Sequence, residues 1–255
     1  VIANLMDGKA VCGNEYDYFL WPFRNANGKD NRRGVIMPDH SPEFHLSLSY
    51  RNSQEELDDS IIKAFLLLGS LGSRARRAYG SVWATSVKID DEPGKIPLTI
   101  QDFKEELSKV IPPESYCVVL QIDEQQRDYK SAINRCSAFL KTFRCGSPKS
   151  GKPSEWGKHD HDMISREQEF VYRAAIGLPL AQRYSGGQQF ESFIEGFDRL
   201  ASPILFKVVK LDGGFVPIAT VFTSNTAEEN CEVSWREIHK KYWNRSSILG
   251  EFYPA

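Results

Sequence analysis

The sequence predicts an α+β fold in two halves, and three observations carry the prediction. Short stretches rich in aromatic and β-branched residues, at 15–23 (EYDYFLWPF), 43–51 (EFHLSLSYR) and 204–211 (ILFKVVKL), read as strands. Between them apolar residues recur at helical spacing, as at Leu57, Ile61, Ala64, Phe65 and Leu68. Turn-forming clusters punctuate the chain, and the acidic Asp90-Asp91-Glu92-Pro93-Gly94 divides it into residues 1–92 and 93–255. With 41% hydrophobic and 26% charged residues over 255 positions, the chain has the makings of real cores and not of a disordered segment.

In the first half, the strand pair 15–23 and 43–51 flanks a Gly, Asn and Asp-rich connection. Ser53 and Glu56 have the spacing of a capping box, so a helix is expected over 54–68. Gly69, Gly72 and Gly80 end it and bracket a loop, and 82–89 regains β character. Strand, strand, helix, loop, strand is the later part of a βαββαβ, ferredoxin-like unit. Its opening strand and helix are missing from this chain on that reading, since an unfilled sheet position would leave an open edge.

The second half opens with a helix over 99–110, stopped by Pro112-Pro113. A buried strand over 116–122, a helix over 129–144 and a Ser, Pro, Gly and Lys loop over 146–157 follow. A further helix is expected over 162–176, with Asp160 or Asp162 as its cap. Runs 204–211 and 215–222, joined by Asp212-Gly213-Gly214, carry a strong hairpin signal.

Several function classes drop out. No apolar run approaches the roughly 20 residues of a membrane helix, no secretory leader is visible, and Cys12, Cys117, Cys136, Cys145 and Cys231 show no Cys-x-x-Cys pair. Reduced thiols and a cytoplasmic location are expected. A net charge of −2 excludes a protein that coats nucleic acid by bulk charge, so any such site must be local.

One stretch meets that demand, Gly69-Ser-Leu-Gly-Ser-Arg-Ala-Arg-Arg-Ala-Tyr-Gly80, in a region free of acidic residues from Ser60 to Ile89. Gly69, Gly72 and Gly80 allow close backbone approach to a ligand and expose N–H groups, with Ser73 beside them. Arg74, Arg76 and Arg77 add forked donors suited to phosphate, and Tyr79 is a candidate for stacking on a base. The spacing is neither that of a nucleotide P-loop nor of a dinucleotide-binding turn. Three phosphate contacts would give a log-log salt slope of about −2 on single strands. The same residues also read as a solvated turn, with arginines complementing a helix C-terminus.

Residues 64–83, AFLLLGSLGSRARRAYGSVW, resemble the helix and glycine-rich loop of the RAMP superfamily of CRISPR systems. The loop looks like that of the type III-B (Cmr complex) subunit that caps the crRNA 3′ end, with Ser70 and Ala78 where that form has glycine and Tyr79 where it has phenylalanine. Residues 199–207 (RLASPILFK) and 177–179 (GLP) resemble that subunit's later motifs, in the same order. The resemblance implies two ferredoxin-like domains, no metal and no cofactor. It implies a non-catalytic role at the crRNA 3′ end, with crRNA, target RNA and other effector subunits as partners. Gly69, Gly72, Ser73, Arg74, Arg76, Arg77, Tyr79 and Gly80 would then be the RNA-binding residues.

Other residues carry weaker signals. His159-Asp160-His161-Asp162 contains metal-ligand types, but neighbours in sequence rarely aim at one ion. His40 and His45 have no partner at readable spacing, though His45 is the candidate for an endoribonuclease alternative. Arg199 and Lys207 are candidate RNA contacts or solvated strand ends, and the aromatic and basic residues of 235–253 suit base stacking, subunit docking or core packing. A protein-binding scaffold is the third class, its basic loop meeting an acidic neighbour.

Overall fold

The computed structural model describes residues 59–72, 75–89, 92–115, 117–144, 155–165, 173, 180–183, 189–192, 201–222 and 247–252. The strands expected over 15–23 and 43–51, His40, His45 and Arg199 lie outside these residues, as do Ser73 and Arg74.

Helix α1 spans Asp59–Leu68, and a two-residue hairpin follows from β1 (Lys88–Ile89) and β2 (Glu92–Pro93). The strand expected over 82–89 is therefore confined to its last two residues. Helix α2 (Ile100–Val110) starts where the sequence signals it. The Thr99 side chain accepts from the Asp102 amide at 3.1 Å, and the Asp102 carboxylate accepts from the Thr99 amide at 3.1 Å. This reciprocal capping box satisfies donors that a bare helix start would leave open. After a short 3-10 turn come β3 (Cys117–Gln121) and α3 (Tyr129–Arg144), the latter on its expected bounds.

Helix α4 (Glu155–Ser165) corrects the sequence reading. It begins inside the expected 146–157 loop, so Asp160 and Asp162 lie within the helix and cap nothing. The reason is tertiary: Trp156 is buried in the core, and the fully buried Asp160 takes a 2.7 Å ion pair from Arg173 Nε. A hairpin of β4 (Leu180–Arg183) and β5 (Gln189–Ser192) follows.

Strands β6 (Ile204–Leu211), β7 (Gly214–Phe222) and β8 (Ser247–Phe252) join β3 in a four-stranded antiparallel sheet ordered β6-β7-β3-β8. The expected hairpin is present, with Leu211 opposite Gly214. Gly214 has φ of 137°, and a Cβ there would strike the Gln126 carbonyl, so glycine is required.

Side chains alternate across the sheet and feed two cores. Val118 and Leu120 of β3 join Phe206, Val208, Ala219 and Val221 against α3 and Trp156. Cys117 and Val119 face the other way, against Phe103 and Leu107 of α2 and Leu67 of α1. Residues on both sides of the 92/93 division meet in these cores, since Ala78 sits in the first and Leu67 in the second. Cys117 and Cys136 are free, buried thiols, and burial pushes Cys117 up to about 11 and Cys136 up as well, so both stay protonated. Among the described residues no helix is long and apolar enough to cross a membrane.

Candidate nucleic-acid interface

The glycine-rich loop leaves α1 through Gly69, whose amide donates to the Phe65 carbonyl at 2.7 Å and keeps the last helical turn closed. Ser70 pairs antiparallel with Ser81, and the Leu71 amide donates to the Gly80 carbonyl at 2.8 Å, so the loop closes at its neck. Gly72 and Gly80 take left-handed φ of 97° and 78°, open to glycine at no steric cost.

The returning strand of the loop lies along β6. The Ala78 amide donates to the Phe206 carbonyl at 3.0 Å, and the Phe206 amide donates to the Arg76 carbonyl at 3.1 Å. Further along, the Val208 amide donates to Ser81 Oγ at 3.0 Å. These bonds occupy N–H and C=O groups that an edge strand otherwise presents to any passing chain. Ala78 is fully buried at φ of 64°, a conformation that costs an L-residue about 1–2 kcal/mol. It is held there by its amide bond to β6 and by its carbonyl, which accepts from Ser81 Oγ and Tyr129 Oη, both at 2.6 Å. Ala78 is thus held in its left-handed backbone by these bonds.

The arginines separate by role. Arg76 is exposed, its Nη1 making only a loose 3.5 Å contact with the Ser202 carbonyl, and its charge is available at the surface. Arg77 is half-buried with its guanidinium 6.0 Å from the centre of the Phe206 ring, a cation–π arrangement. Tyr79 is half-buried and packs against the first core, which commits part of the ring that was expected to stack on a base. Of the eight residues expected to bind RNA, Gly69, Gly72, Arg76, Arg77, Tyr79 and Gly80 are described, and all lie on this one loop at the β6 edge.

Lys207 is not a solvated strand end. It is 2% exposed, and its Nζ donates to the Leu66 carbonyl at 2.7 Å and to the Gly69 carbonyl at 2.8 Å. The amine therefore satisfies carbonyls at the C-terminus of α1, where the helix dipole favours a cation, and ties α1 and the loop neck to the sheet. Burial lowers its pKa to about 7. Its alternation with Phe206 and Val208 marks it as facing away from their core, but only the docking of α1 on that side reveals the partner.

Two side chains that the sequence did not single out complete the surface. Trp83 is half-buried and stands beside Tyr129 and Phe215, with Lys210 Nζ 5.8 Å from its ring centre. Among the described residues no group of His, Cys, Asp and Glu is arranged to hold a metal. His159 Nδ1 lies 3.7 Å from Asp160 Oδ1, and the other oxygen of Asp160 holds Arg173. No protein-family model and no curated protein matches this chain.

Proposed function

We propose that this chain is a non-catalytic RNA-binding subunit of a type III-B CRISPR effector, seated at the crRNA 3′ end and assisting capture of target RNA. The observation that carries the reading is the loop at 69–80, pinned by backbone bonds along β6 with Arg76 at the surface. A loop held on a rigid sheet keeps its donors in place, so little entropy is lost when phosphates dock. The resemblance of 64–83 and 199–207 to the RAMP form supplies the specific assignment. Sequence specificity would come from base pairing with the guide, and other subunits would share the RNA, since three arginines give only modest affinity.

The sheet supports the ferredoxin-like part of the proposal. Taking β3, β6, β7 and β8 as the four strands of a βαββαβ unit and α3 as its first helix, the spatial order fourth-first-third-second is that of the unit. The hairpin β6–β7 is its central ββ link, and the chain between α3 and β6 is an insertion.

Binding of a fluorescent single-stranded RNA by the wild type and by Arg74→Ala/Arg76→Ala/Arg77→Ala, across a salt series, tests the function. The expected result is weaker binding with a shallower slope, by about 0.7 for each arginine that meets a phosphate. Unchanged binding by a folded triple variant would leave the loop as an edge cover and favour the scaffold reading.

A further inference from the structure

We infer that Trp83 and Lys210 form a second RNA subsite, one that stacks a base of the strand whose phosphates the arginine loop holds; this rests on the reading of the loop as an RNA interface. The chain from Arg76 to Trp83 runs along β6, with Arg76 and Ala78 bonded to Phe206 and Ser81 bonded to Val208, and it brings Trp83 to Lys210. From the level of Phe206 to that of Lys210 is four strand residues, about 13 Å. A stacked single strand covers that distance in about four nucleotides at about 3.4 Å each. One strand can therefore meet both sites.

Trp83 is built as a platform and not as core. Its ring contacts Phe215 at 5.9 Å and 70°, and Tyr129 at 6.2 Å and 51°. Those two rings contact each other at 6.1 Å and 78°, and both pack on the first core. The Tyr129 hydroxyl is fixed by its 2.6 Å bond to the Ala78 carbonyl. The indole is thus held by an edge-on contact to one anchored ring and a tilted contact to another, which is rigid support at little entropic cost on binding. The exposed ammonium of Lys210 sits over the indole, and it can turn to a phosphate when a base takes its place. An aromatic platform with a cation beside it, at strand distance from a basic loop, is the arrangement that binds single-stranded nucleic acid without sequence preference.

The test uses the full chain with two probes, an oligouridine and an abasic oligomer of the same length. Trp83→Leu should weaken oligouridine binding about tenfold, leave its salt slope unchanged and leave abasic binding unchanged, because stacking needs a base. Lys210→Ala should make the slope shallower by about 0.7. Trp83→Leu that binds oligouridine like the wild type, or that loses both probes equally, overturns the subsite. If the arginine variant still loses binding in that case, the loop reading stands alone. A wild type that binds neither probe overturns both. Should Trp83→Leu fail to fold, Trp83→Phe replaces it: the quenching of tryptophan fluorescence by oligouridine should shrink, and undiminished quenching overturns the proposal.

Discussion

Lys207 offers the sharpest check on how the candidate interface is held. The residue is 2% exposed, and burial lowers its pKa from 10.5 to about 7. Below pH 7 both the folded and unfolded chains carry the proton, and the folded state bears the full cost of a buried charge. Between pH 7 and 10.5 the unfolded chain binds more protons than the folded one, so stability rises with pH across that window. At about 1.36 kcal/mol per pH unit, the gap between the two pKa values amounts to about 5 kcal/mol, an upper bound because the Leu66 and Gly69 carbonyls favour the cation. Lys207→Met removes the titration and leaves two carbonyls without this donor, at about 1–3 kcal/mol each. Urea unfolding of both proteins from pH 6.5 to 9.5 reads the difference. The wild type should gain stability with pH by up to about 1.4 kcal/mol per unit, and Lys207→Met should show a flatter line. Parallel lines would refute the reasoning, and would mean that the carbonyl pair holds the proton as tightly as water does.

Two further outcomes follow from the same contacts. Gly80→Ala forces a left-handed φ on alanine and drives its Cβ into the Leu71 carbonyl, so it should destabilise by at least about 2 kcal/mol in denaturant unfolding, and an unchanged midpoint would remove the neck contact from the account. Asp160→Ala strands Arg173 beside a buried site and should cost about 3–5 kcal/mol, seen as a much lower melting temperature; a melt like the wild type's would show the ion pair to be energetically neutral.

The sequence by itself determined the parts whose causes are local. The helices expected over 99–110 and 129–144 and the Asp212-Gly213 turn are set by neighbours along the chain, and the structure places those elements at or within one residue of their expected bounds. It also located the basic glycine-rich loop, because three arginines among glycines are visible without a fold. Tertiary structure decided what that loop is attached to. The 82–89 stretch has strand-like residues, yet its neighbours 76–81 take the β6 edge from 127 to 130 positions away, and only 88–89 form a ladder of their own. Helix α4 started early because Trp156 and Asp160 found partners in the core, which no cap signal announces. Lys207 reads as a solvated strand end until α1 packs across the sheet and presents its last carbonyls, and Trp83 reads as one more strand aromatic until Tyr129 and Phe215 come together under it. The physical division is one of range: caps, turns and periodicity are set by neighbours along the chain, whereas the partner of an edge strand, a buried amine or a half-buried ring is chosen by whatever the fold brings beside it.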